Sequence, residues 1–85
     1  MKHAGSACLE GLNALLSEIR GLGELVEMKP GIFYKKGKAW LHFHEDPAGV
    51  FADARVTPGE FTRFAVNTEV ERKQLMSALR SVLKS

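Results

Sequence analysis

Hydrophobic positions along the chain change their spacing twice. Across residues 6–22 the apolar side chains Leu9, Leu12, Leu15, Leu16, Ile19 and Leu22 recur in steps of three and four, which lines one stripe of a helix. Ser6 stands where an N-cap belongs, and Gly21 and Gly23 supply a stop. The same spacing returns near the other end with Val70, Leu75, Met76, Leu79, Val82 and Leu83. Thr68 and Glu71 precede that run as a capping box, in which hydroxyl and carboxylate each satisfy an amide of the first turn. Arg80 and Lys84 fall in the final turns, where positive charge suits the helix dipole.

Between these segments the period drops to two. Alternating runs at 32–35 and 38–45 flank Lys36-Gly37, a two-residue hairpin turn. Runs at 50–56 and 61–67 follow Asp46-Pro47-Ala48-Gly49 and Thr57-Pro58-Gly59, and a short strand at 25–28 precedes Pro30-Gly31. Short connections make the strands antiparallel and meandering. The expected fold is a single-domain α+β two-layer sandwich: a sheet of four or five antiparallel strands with the N-terminal and C-terminal helices on one face.

Because a slip of one residue turns every side chain over, these loop lengths also set an expected register. Phe33 falls opposite Trp40, Ile32 opposite Leu41, His44 opposite Phe51, His42 opposite Asp53, Trp40 opposite Arg55, Leu41 opposite Ala54, and Phe43 opposite Ala52. Across the last hairpin Arg55 faces Phe61, Asp53 faces Arg63, and Ala52 faces Phe64. One face then carries Ile32, Tyr34, Ala39, Leu41, Phe43, Val50, Ala52, Ala54, Val56, Phe64 and Val66 as the core. The other carries Phe33, Trp40, His42, His44, Phe51, Asp53, Arg55, Phe61 and Arg63 with no helix left to cover it. Four large aromatic side chains on an uncovered face mark a contact surface.

Three uses of that face follow. The first is a non-catalytic binding or self-association module, with a homodimer as the commonest way to hide such a surface. The aromatic residues supply contact area there, and Arg55, Arg63, His42 and Asp53 supply orientation. The second is a nucleic-acid interface, in which Arg55 and Arg63 join a basic hairpin tip of Lys35, Lys36 and Lys38. The third is a divalent-metal site. His42 and His44 project to the same side of one strand, and Asp53 lies across from His42 as a third ligand.

Composition narrows the field around these alternatives. The 85 residues are 45% hydrophobic and 26% charged, an ordinary globular balance. A net charge of +2 is too small to point to nucleic acid unaided. The single cysteine, Cys8, excludes an internal disulfide and cysteine-rich zinc sites, and reads as an inert thiol. No apolar run is long enough for a membrane span, and no secretory segment follows Met1, so the expected location is cytoplasmic. The chain has no phosphate-binding glycine loop, nucleophile elbow or zinc-protease motif, so neither an enzyme nor an organic cofactor is expected.

The run Lys29-Pro30-Gly31-Ile32-Phe33-Tyr34-Lys35-Lys36-Gly37-Lys38-Ala39-Trp40-Leu41-His42-Phe43-His44, between a leading helix and a closing one, resembles small bacterial proteins of unknown function. More distantly it is similar to the MmcQ/YjbR group, through Phe33, Gly37, Lys38 and Trp40. That resemblance implies a frataxin-like sandwich and DNA binding. It does not extend to an iron role of the frataxin kind, which needs an acidic first helix; here that helix carries only Glu10 and Glu18.

Overall fold

The structure, a computed structural model, describes residues 2–3, 5, 9–57 and 59–83. Within them the order is β1 (Lys2–His3), α1 (Asn13–Arg20), β2 (Val26–Lys29), β3 (Ile32–Lys35), β4 (Lys38–Asp46), β5 (Gly49–Thr57), β6 (Glu60–Ala65) and α2 (Glu69–Leu83). The sheet runs β2-β3-β4-β5-β6 with every neighbour antiparallel, so the expected α+β meander is present. No helix among the described residues is long and apolar enough to cross a membrane.

The first helical segment is broken where the periodicity predicts one helix. Leu9 and Glu10 are helical, Gly11 and Leu12 form a turn, and α1 starts at Asn13. Leu12 occupies the N-cap position and has no side-chain oxygen to offer, so no cap hydrogen bond forms. The apolar stripe survives the break: Leu9, Leu12, Leu15, Leu16 and Ile19 are all buried. The expected cap Ser6, the thiol Cys8 and the terminal cation Lys84 lie outside the described residues. At the other end the capping box is present. The Glu71 amide donates to Thr68 Oγ1 at 3.2 Å, and the Thr68 amide donates to Glu71 Oε1 at 3.0 Å.

Leu75, Met76, Leu79 and Leu83 of α2 share one apolar cluster with the α1 stripe and with Leu41, Phe43, Ala52 and Ala54 of the sheet. The two alanines let α2 approach the centre of β5 closely. Alternation then sends His42, His44 and Asp53, which sit between those core positions, to the other face.

One part of the expected register is overturned. Lys35 pairs with Lys38 and Tyr34 with Ala39, but Phe33 pairs with Leu41 and Ile32 with His42. Trp40 is thus an extra residue in β4, a β-bulge two pairs beyond the turn. The bulge reverses the faces beyond it. Phe33 is 0% exposed and Trp40 7%, and both belong to the core. Ile32 and Tyr34, expected in the core, are half-buried, and Ile32 is the cross-strand partner of His42. Burying two large apolar rings is worth about 3–6 kcal/mol. The ladder hydrogen bond lost at a bulge costs about 1 kcal/mol, and Ile32 and Tyr34, which give up the core position, stay half-buried, so the exchange favours the bulged register.

A second unforeseen feature is β1, whose two residues pair with Glu45 and His44 on the stretch of β4 that β3 does not reach. The Gly5 amide donates to Glu45 Oε1 at 2.7 Å and fastens the chain after this strand.

Two local features carry predictions. Gly49 opens β5 with φ 138°, and a Cβ there would lie 2.7 Å from Asn67 Oδ1. That oxygen accepts from the Val50 amide at 2.8 Å, so Asn67 cannot withdraw without losing the bond that ties β5 to the end of β6. Gly49→Ala is expected to lower stability by about 1–3 kcal/mol, read as a fall in melting temperature. Gly37→Ala, where a Cβ meets nothing within 4 Å, is expected to fall by less. Equal losses at the two positions would contradict the Asn67 contact.

Glu27 accepts from Arg20 Nε at 2.6 Å and Nη2 at 3.0 Å, and from the Gly31 amide at 3.0 Å. The Arg20 guanidinium, opposed by partial burial and assisted by the Gly31 amide, holds the Glu27 carboxyl below its ordinary value of 4.5. A carboxyl depressed in the folded state stabilises it above the unfolded pKa and loses that contribution as pH falls through the folded one. Acid unfolding below about pH 4.5 is therefore expected to draw partly on Glu27. Glu27→Gln should flatten stability against pH in that window; a curve parallel to that of the parent chain would contradict this.

Candidate metal centre

Three side chains meet at the middle of the face opposite the helices. His42 and His44 come from β4, two residues apart and therefore on one side of it. Asp53 comes from β5, in register with His42, while His44 is in register with Phe51. His42 Nδ1 lies 2.5 Å from His44 Nε2, and His44 Nε2 lies 3.2 Å from Asp53 Oδ2. One ligand atom from each of the three falls within 4.8 Å of the others.

A bidentate arginine fixes the carboxylate. Arg63, in register with Asp53 across β5 and β6, donates from Nε to Oδ1 at 2.8 Å and from Nη2 to Oδ2 at 3.0 Å. Asp53 is only 8% exposed. The Arg63 guanidinium overcomes the opposing effect of burial and holds the Asp53 carboxyl below its ordinary range, with smaller help from His44 and His42. Asp53 in turn raises Arg63, with Asp46 adding a minor contribution. Asp53 is therefore a carboxylate at neutral pH, as a metal ligand must be.

Aromatic rings wall the cluster. The His42 ring meets those of His44 and Phe61 edge to face, at centroid separations of 4.5 Å and 4.7 Å. Arg55 stacks its guanidinium 4.2 Å above Phe61 and donates from Nε to the Ala39 carbonyl at 2.9 Å. Arg63 stands 5.9 Å from the Phe51 centroid.

Seven of the nine residues expected on this face are thus in one connected group: His42, His44, Phe51, Asp53, Arg55, Phe61 and Arg63. Phe33 and Trp40 are not among them, because the bulge carries both into the core. Lys35, Lys36 and Lys38 surround the hairpin turn, where Lys36 at φ 52° and Gly37 at φ 81° have the left-handed backbone of a type I′ turn. Among the described residues no hydrogen bond or ion pair joins these lysines to the arginines, which are engaged at Asp53, Phe61 and Ala39. Ile32, paired with His42, is a member of this neighbourhood that strand alternation assigned to the other side. No signal short of the bulge itself identifies it.

Comparisons with protein-family models, with curated proteins and with solved structures find no match to this chain.

Proposed function

We propose that this chain is a binding module for a divalent first-row transition metal ion, held by His42 Nδ1, His44 Nε2 and Asp53 Oδ2 on the sheet face away from the helices. The observation that carries this reading is the convergence of three donor atoms within 4.8 Å. Ligand atoms bonded at about 2.0–2.1 Å to a tetrahedral ion stand roughly 3.3 Å apart. The His44–Asp53 pair is already at 3.2 Å. The two imidazole nitrogens, 2.5 Å apart, need to part by under about 1 Å, and the remaining pair, within 4.8 Å, to close by up to about 1.5 Å. Two imidazoles and a carboxylate suit zinc and its neighbours rather than magnesium or calcium, which prefer all-oxygen sites. Arg63 supplies the outer hydrogen bonds that keep a ligating carboxylate oriented. An aromatic docking surface is the weaker reading, because without Phe33 and Trp40 it retains only Phe51 and Phe61 of its four large rings.

Calorimetric titration with zinc at pH 7.5 tests the proposal. One equivalent binding with a dissociation constant of about 10 μM or tighter is expected, with no heat from magnesium at the same concentrations. Absence of zinc binding at about 100 μM would overturn it.

A further inference from the structure

We propose that the metal-loaded site takes a small oxyanion, a carboxylate or a phosphonate-type group, at the coordination position facing away from the sheet. This rests on the metal reading above and adds the ligand to it.

The direction of the open position follows from where the donors originate. His42, His44 and Asp53 rise from two adjacent strands and from one face of each. They hold an ion from beneath, and three protein ligands leave a tetrahedral ion one position short. That position looks off the sheet, on the side opposite the α1 and α2 residues of the core.

The charges around it select the ligand. A divalent ion, Arg55 and Arg63 set against the carboxylates of Asp53 and Asp46 leave this face with two positive charges in excess. Arg63 uses Nε and Nη2 on Asp53, and among the described residues no acceptor meets Nη1, so that corner of the fork can meet a further one. Arg55 stands over Phe61, whose ring meets that of His42, so a second guanidinium belongs to the same connected group. An oxyanion bonds the ion through one oxygen and accepts from guanidinium N–H groups through another. A second copy of this chain, docking face to face, would bring two positive surfaces together, so it is disfavoured as the occupant.

The test uses the full chain saturated with cobalt, whose visible spectrum reports changes at the ion, with zinc-loaded protein as a parallel sample for calorimetry. Acetate and methylphosphonate are titrated separately, against chloride at equal ionic strength. The expected result is a saturable spectral change with at least one of the two, in the millimolar range or tighter, and mutual competition if both bind. The relative affinities of the two tell carboxylate from phosphonate as the favoured group. Arg55→Gln is expected to weaken anion binding by about fivefold or more when measured on metal-saturated protein. If the metal itself fails to bind, the reading beneath this inference falls. If the metal binds and neither anion changes the spectrum or gives heat, the inference alone is overturned. Equal binding to metal-free protein, or a loaded chain that sediments as a dimer, would also overturn it.

Discussion

Replacing His42 or His44 with alanine is expected to weaken zinc binding by about 100-fold or more, while the circular dichroism spectrum stays that of the parent chain. The magnitude follows from the ligand count. Disturbing only the outer partners of a metal ligand typically costs 10–100-fold in affinity, and losing one of three direct bonds costs more. The fold should tolerate both changes, since neither histidine belongs to the apolar cluster beneath the helices. Asp53→Asn keeps the shape of the side chain but removes the negative charge and half the fork that Arg63 grips. It too is expected to lose most of the affinity. Only neutral imidazoles bind the ion, so protons compete with it for His42 and His44 and affinity should fall as pH drops. The sign is fixed: acid releases metal. Zinc affinity unchanged in both alanine variants, or independent of pH between 5 and 8, would remove the histidines from the site.

Phe33→Ala is expected to cost about 3–5 kcal/mol of folding stability, with a similar loss for Trp40→Ala. A domain of 85 residues has a net stability of roughly 4–13 kcal/mol, so either change takes a large share of it. The cause is burial: Phe33 is 0% exposed and packs in one cluster with Leu41 and Leu79. Had the strands paired without the bulge, Phe33 would stand on the open face, and its removal would cost within about 0.5 kcal/mol. Urea unfolding separates the two cases, provided the slope with denaturant stays constant. A midpoint that barely moves in Phe33→Ala would mean that the ring lies outside and the β3–β4 register is the simple one. Phe61→Ala, at a residue 38% exposed, serves as the comparison and should cost much less.

The same bulge marks the boundary of what the amino-acid pattern conveys. The β4–β5 pairing is legible because Leu41, Phe43, Ala52 and Ala54 alternate cleanly with His42, His44 and Asp53, and the short Asp46–Gly49 connection selects one of the registers that bury all four. Six successive pairs, from Leu41 with Ala54 to Asp46 with Gly49, follow from that pattern. The Asp53–Arg63 pair follows from the next hairpin in the same way, whereas Arg55 and Phe61, expected opposite each other, fall where the register shifts between Ala54 and Thr57 and meet through their side chains. Beyond Lys36-Gly37 the alternation is ambiguous. Ile32-Phe33-Tyr34 is apolar at every position, so either face could be the inner one. The outcome depends on tertiary packing of Phe33 and Trp40, which no local periodicity encodes. The break in the first helix is hidden for a related reason: Leu9 and Leu12 keep helical spacing across Gly11, so the apolar stripe reads as continuous although the backbone is not. Strand β1 has two residues, too few to show any period. The residues proposed as metal ligands are legible because they lie on the pair of strands whose alternation is cleanest. The arginine grip on Asp53 was legible as a pairing, though not as the bidentate contact that sets the carboxylate's charge state.

Anomalous diffraction at the zinc edge from crystals of the zinc-loaded chain tests the central claim most directly. The account requires a single strong peak bonded to His42 Nδ1, His44 Nε2 and an oxygen of Asp53, on the side of the sheet away from the helices. A peak held by other residues, or none between these three at full zinc loading, would contradict it.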